Sequence, residues 1–154
     1  MVLVMRRSAI SLLAMLFVAL FAKEALTQEI GTIKSLKGNV IIVRSDTRVD
    51  VSIGDPLFLN DRVLTEAQSS FGATLDDGTT LAIGEKADVG VESFVFEPGA
   101  GLFDLIVRVF AGQLIYGSGR IGAARPDRVK VETPQLSVGT RGTRFAVIVP
   151  SVSP

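Results

Sequence analysis

Between Gly31 and Val149 the chain is a succession of short, β-branched stretches broken at Gly54-Asp55, Asn60-Asp61 and Asp77-Gly78. It closes with Thr133-Pro134 and then Gly139-Thr-Arg-Gly-Thr-Arg-Phe145. Short apolar segments with period-two alternation, bounded by glycine, proline, asparagine and aspartate, read as strands. No amphipathic helical stripe is found after the N-terminal segment. The predicted fold class is all-β, a single domain of short antiparallel strands and hairpins.

Ile30 to Ser35 and Asn39 to Arg44 are predicted to meet in a hairpin at Lys37-Gly38. Val49 to Ile53 alternates as a half-buried strand should, and Gly54-Asp55-Pro56 stops it because proline donates nothing to a ladder. Arg62 to Thr65 follows as a short strand. From Ser70 to Gly84 the pattern is a hairpin, with Phe71, Ala73 and Leu75 on one face and Asp77-Gly78 predicted as a type I′ turn. Ala87 to Glu97 carries apolar residues on both parities, which predicts a strand buried on two faces or a bulge near Ser93. After the Pro98–Gly101 loop, Leu102 to Phe110 is a strand turned at Ala111-Gly112 into Gln113 to Tyr116. Val129 to Thr133, Gln135 to Val138 and Gly142 to Val149 complete the domain. A sandwich, a barrel and a solenoid-like stack of hairpins all accommodate strands this short.

Arg6 and Arg7 precede a mostly apolar run from Ser8 to Ala22, and Lys23 and Glu24 follow it. A basic start, an apolar stretch and a polar change make the plan of a secretory signal peptide, with an uncleaved anchor as the alternative. The predicted division is a signal helix over residues 1–22, a linker over 23–29, the β domain over 30–149 and a tail over 150–154. The folded part is then expected in the periplasm or outside the cell, with membrane contact only through an uncleaved N-terminal segment.

Sixteen basic and sixteen acidic residues cancel, so no electrostatic footprint for nucleic acid exists. The chain has neither cysteine nor histidine. Disulfides, thiolate nucleophiles, Cys/His metal sites and histidine general bases are thereby excluded.

Gly117-Ser-Gly119-Arg-Ile-Gly122 satisfies the G-x-G-x-x-G pattern of dinucleotide sites. Such glycines must open a helix facing a pyrophosphate, with an acidic residue about 20 positions on. Pro126 follows closely and no Asp or Glu comes after Glu132, so the stretch reads as a flexible loop. Asp76, Asp77 and Asp88 read as turn and polar-face residues, since neither separated carboxyl environments nor calcium-ligand spacing is present. Ser69, Ser70, Ser118 and Ser137 lack a base, and nothing in their spacing favours Lys86 or Lys130 in that role. Non-enzymatic function without a cofactor or metal is the expectation. Arg141 and Arg144 are the candidate partner-binding residues, because forked guanidinium donors suit a carboxylate or an acidic surface. The competing reading gives Gly139 and Gly142 a tight bend and pairs the arginines with carboxylates such as Glu132.

Taken in order, several motifs resemble the FecR domain. They are Gly38-Asn-Val40, Ile53-Gly-Asp55, Asn60-Asp-Arg-Val-Leu-Thr65, Ser70 through Leu81, Val109-Phe-Ala-Gly-Gln-Leu114, Val131-Glu-Thr-Pro134 and Gly139 through Phe145. The resemblance spans nearly all of the chain after the N-terminal segment. It implies an extracytoplasmic β-rich domain; in family members tied to iron uptake, that domain passes a signal from an outer-membrane transporter to a cytoplasmic sigma factor. Few residues precede Ser8, so a stand-alone secreted form without the cytoplasmic anti-sigma segment is expected. The function expected is a protein-binding or regulatory module with an envelope protein as partner. An envelope-associated domain binding polysaccharide or cell-wall material is the alternative, weakened by the absence of tryptophan and by a single tyrosine, Tyr116. A hydrolase comes third.

Overall fold

A computed structural model describes residues 27–139 and 143–150. The N-terminal segment, residues 140–142 (which include Arg141) and the tail from residue 151 lie outside the described residues. Twelve strands are present among them: β1 (Glu29–Lys37), β2 (Val40–Arg44), β3 (Thr47–Val49), β4 (Pro56–Phe58), β5 (Arg62–Thr65), β6 (Ser70–Leu75), β7 (Thr80–Ile83), β8 (Asp88–Glu97), β9 (Leu102–Gly117), β10 (Val129–Glu132), β11 (Ser137–Gly139) and β12 (Arg144–Val149). They form one curled sheet, half a barrel in outline, ordered β3-β2-β5-β8-β9-β7-β6-β1-β4 along its main path. The all-β expectation holds. One pair departs from the antiparallel pattern, because β10 runs parallel to β9.

The spine is β9, sixteen residues long, with β8 and then β7 along one flank and β10 and then β12 along the other. Its buried side chains have odd numbers at Leu105, Val107 and Val109 but even numbers at Leu114 and Tyr116. Phe110 causes the switch: the register against β8 slips there, Val89 facing Val109 while Asp88 faces Ala111. An inserted residue inverts side-chain parity, and the sheet curls at the same point, so one face stays inward throughout. Ala111-Gly112, expected as a turn between two strands, is instead this bend within a single strand.

Three further passages of the chain stack against the bend: β1 to β2, β5 to β6, and β7 to β8. Hydrogen bonds stitch them together. Asn39 N–H donates to Ser69 Oγ at 2.9 Å, Thr65 N–H to the Ala87 carbonyl at 3.0 Å, and Gly84 N–H to the Gln113 carbonyl at 2.9 Å. The buried Thr65 hydroxyl donates to the Gly84 carbonyl and accepts from Ala87 N–H, at 2.6 and 2.9 Å. Each passage carries one residue of positive φ: Gly38, Gln68, Lys86 and Gly112. This seam overturns the predicted hairpin at Lys37-Gly38. β1 pairs with β4 and β6, and β2 with β3 and β5, so Gly38 marks a crossing between two wings of the sheet.

The inner faces of both wings share one apolar core, including Ile30, Ile33, Ile42, Phe71, Leu105 and Leu114, all at most 2% exposed. Burying each such side chain contributes about 1.5–3 kcal/mol relative to leaving it in water. The alternation predicted for Phe71, Ala73 and Leu75 is present, and so is the bulge near Ser93, where the β8 register slips between Val91 and Ser93. The strand expected over Val49 to Ile53 is not formed: β3 lies upstream and ends at Val49, and residues 50–53 carry no strand. They lead into a turn in which Asp55 N–H donates to the Ser52 carbonyl at 3.1 Å, and Pro56 opens the edge strand β4, where its missing N–H costs nothing.

The β6–β7 connection is a hairpin but not of type I′. Gly78 N–H donates to the Leu75 carbonyl at 2.9 Å, and within that turn only Gly78 has positive φ, 86°. That is a type I turn closed by a left-handed residue. The type I′ geometry falls instead at Ser45-Asp46 between β2 and β3, where both residues have positive φ. At Gly78 an added Cβ meets no atom within 4 Å, so the cost of Gly78→Val comes chiefly from the positive φ. A loss of about 1–3 kcal/mol is expected, read as a lowered melting temperature without loss of the folded state.

Candidate interaction edge

Helix α1 (Arg120–Ala124) replaces the flexible loop expected over Gly117 to Gly122. The glycines do open a helix, but its N-terminus is already occupied from within the chain. The Asp77 carboxylate accepts from Ile121 N–H at 3.1 Å and from the Thr79 N–H and hydroxyl at 3.0 and 2.8 Å, and the Asp77 carbonyl accepts from Arg120 N–H at 2.8 Å. Asp77 is thus 1% exposed and not the solvated turn residue its sequence context predicts. Close approach accounts for the glycines: a Cβ on Gly119 would sit 2.7 Å from Asp77 Oδ2, and one on Gly122 would sit 3.3 Å from the Tyr116 hydroxyl. The site that a dinucleotide pyrophosphate would need is filled by protein.

Of the other two aspartates singled out by sequence, Asp76 is exposed and only its backbone carbonyl accepts, from Arg120 at 2.9 Å. Asp88 pairs with Arg62, whose guanidinium lies 4.1 Å above the Phe110 ring. Asp61, 2% exposed, holds Arg44 through two bonds of 2.7 Å and accepts from Phe58 N–H. That carboxylate raises the Arg44 pKa further above its ordinary value, mainly through the hydrogen bonds. Nothing in the local pattern singled this pair out. No group of three or more metal-ligating side chains is assembled among the described residues. The Ser69 hydroxyl accepts from Asn39 N–H and donates to the Ala67 carbonyl at 3.2 Å.

Of the two arginines singled out by sequence, Arg144 is described. It is exposed and opens β12. Its expected neighbour Glu132 is engaged elsewhere, 2.5 Å from Arg108, which also contacts Glu92 at 3.1 Å. Tyr116 is fully buried with its ring 4.9 Å from Phe145, and burial pushes its pKa above the ordinary tyrosine range.

What Arg144 introduces is an open sheet edge. Strand β12 pairs with β9 on one side and with nothing on the other among the described residues. The other edge strands, β3, β4 and β11, have three residues each, and β4 begins with proline. β12 has six, Arg-Phe-Ala-Val-Ile-Val, with no proline or bulge to blunt it. Ser118 N–H donates to the Thr143 carbonyl at 2.8 Å, which fixes the alternation of the ladder. Odd-numbered residues of β12 bond β9, while Arg144, Ala146 and Ile148 aim their N–H and C=O groups outward. Phe145 and Val147 pack half-buried against the core, and Ile148 is 71% exposed. Natural proteins usually blunt an edge of this kind.

A family model described as FecR protein matches residues 61–152, more than half of the chain. The match takes in β5 to β12, while the resembling motifs Gly38-Asn-Val40 and Ile53-Gly-Asp55 lie upstream of it. No curated protein and no solved structure matches the chain.

Proposed function

The chain belongs to the FecR family, and on that premise we propose that it is an extracytoplasmic protein-binding module acting in envelope signalling by contact, without covalent chemistry. The open edge of β12 carries the reading. An extended segment of an envelope protein adds there as a further strand, held by backbone hydrogen bonds and sorted by the pockets between alternate side chains. Arg144 supplies a charged donor at one end of that edge, and Arg141, outside the described residues, is the second candidate from sequence. Export rests on the basic start and apolar run of residues 1–22. The polysaccharide reading is not favoured, because its one tyrosine is in the core.

Ala146→Pro tests this selectively. The Ala146 N–H points away from β9, so proline removes an outward donor and no ladder bond. Wild-type protein should retain a distinct envelope protein from extract, Ala146→Pro should lose it at unchanged melting temperature, and Arg141→Ala with Arg144→Ala should weaken it. Identical capture by all three would end the reading.

A further inference from the structure

We propose that the chain binds a free α-amino acid with an apolar side chain, in a half-open cleft of about 300 Å³. The cleft lies at the opposite end of β9 from β12 and shares no residue with it, so strand addition is not a premise. Its volume is at the small end of the range that ligand sites occupy. Local sequence builds it. At the tip of the β8–β9 pair Val95 faces Asp104 and Glu97 faces Leu102, so Val95, Leu102 and Asp104 share one side of the hairpin. That side is turned from the core, since Phe94 and Leu105 point inward. The Pro126–Arg128 turn then delivers β10 parallel to β9 with Val129 opposite Leu105, which sets Arg128 alongside Asp104. Arg125 and Phe103 complete the lining, and Leu102 stays 53% exposed.

The charges of the cleft select its occupant. Arg125 is spent on Asp127 through bonds of 2.9 and 2.7 Å, whereas Arg128 reaches that carboxylate only at 3.8 Å. Asp104 accepts from the Ser93 hydroxyl through Oδ2 and forms no ion pair among the described residues. A guanidinium and a carboxylate thus share one small cleft, beside an apolar floor, without pairing with each other. A ligand that satisfies all three carries an anion, a cation and an apolar group close together. Its carboxylate accepts from the Arg128 fork, its ammonium donates to Asp104 Oδ1, and its side chain covers Leu102 and Val95. An anion alone is repelled by Asp104, and a cation alone by Arg128. Counting Arg125 and Asp127, the site is neutral, and a zwitterion keeps it so.

Leucine titrated into the full-length protein in mild detergent should shift the backbone amide resonances of Leu102 and Asp104, with a Kd on the order of 1 mM or tighter. N-acetyl-leucine lacks the ammonium and leucinamide lacks the carboxylate, and each should bind at least about tenfold more weakly. Arg128→Gln should lose the discrimination against leucinamide. Asp104→Asn, whose amide oxygen still accepts from Ser93, should lose the discrimination against N-acetyl-leucine. Arg48→Gln, exposed on β3, should titrate like wild type. A flat titration at millimolar leucine, equal binding of either blocked derivative, or full discrimination retained by both cleft variants overturns the proposal and leaves the envelope-capture result standing on its own.

Discussion

Gly112→Ala is expected to lower stability by at least about 3 kcal/mol, among the larger losses a single methyl group can cause. Two independent costs combine. The backbone at Gly112 has φ of 84°, a region that side chains with a Cβ adopt only under strain. The added Cβ would also lie 2.5 Å from the Ala87 Cβ and 3.0 Å from the Ala87 nitrogen, with the Ala87 Cα in contact as well. Most of those atoms are backbone at the seam, held by the Thr65 hydroxyl and by Thr65 N–H, so they cannot swing aside. Removing the Ala87 methyl in a Gly112→Ala, Ala87→Gly double variant should therefore restore little. Gly99→Ala, with open space around the added Cβ and no positive φ, is the matched control and should melt like wild type. A Gly112→Ala protein as stable as Gly99→Ala would show that the four passages are not locked at this point.

The same seam explains what sequence reading can and cannot reach here. Alternation of Phe71, Ala73 and Leu75 with small or polar residues is local, and local periodicity is enough to identify a strand and its buried face. The bulge near Ser93 was legible for the same reason, since apolar residues on both parities signal a slipped register. Pairing is not local. Lys37-Gly38 has the composition of a hairpin turn, and only the distant Ser69 and Glu66, bonded to Asn39, make it a crossing between wings. Turn identity fails at Asp77-Gly78 because the Asp77 side chain is drawn inward by Thr79 and by Ile121, forty-four residues further on. Arg144 was legible as a candidate from its motif. The open edge that gives it meaning depends on β12 docking beside β9, which no short-range pattern encodes.

Asp77→Ala is the second large effect, an expected loss of about 3–5 kcal/mol from orphaned buried donors. Truncation removes the acceptor for three donors at once: Thr79 N–H, the Thr79 hydroxyl and Ile121 N–H, all bonded to the buried carboxylate. Orphaned buried donors cost about 1–3 kcal/mol each before relaxation, so the sum is tempered where α1 frays and water enters. The negative charge lost also sat at the helix N-terminus, where anions are favoured. For a domain of this size the melting temperature should fall by about 10–20 °C. Asp77→Asn keeps one acceptor oxygen but turns an amide donor toward the other donors, so it should fall between wild type and alanine. Amide exchange at Ile121 separates this account from a general loosening: it should accelerate far more than exchange at Leu105 or Val107, deep in β9. If Ile121 stays protected in the alanine variant, the helix does not depend on the carboxylate.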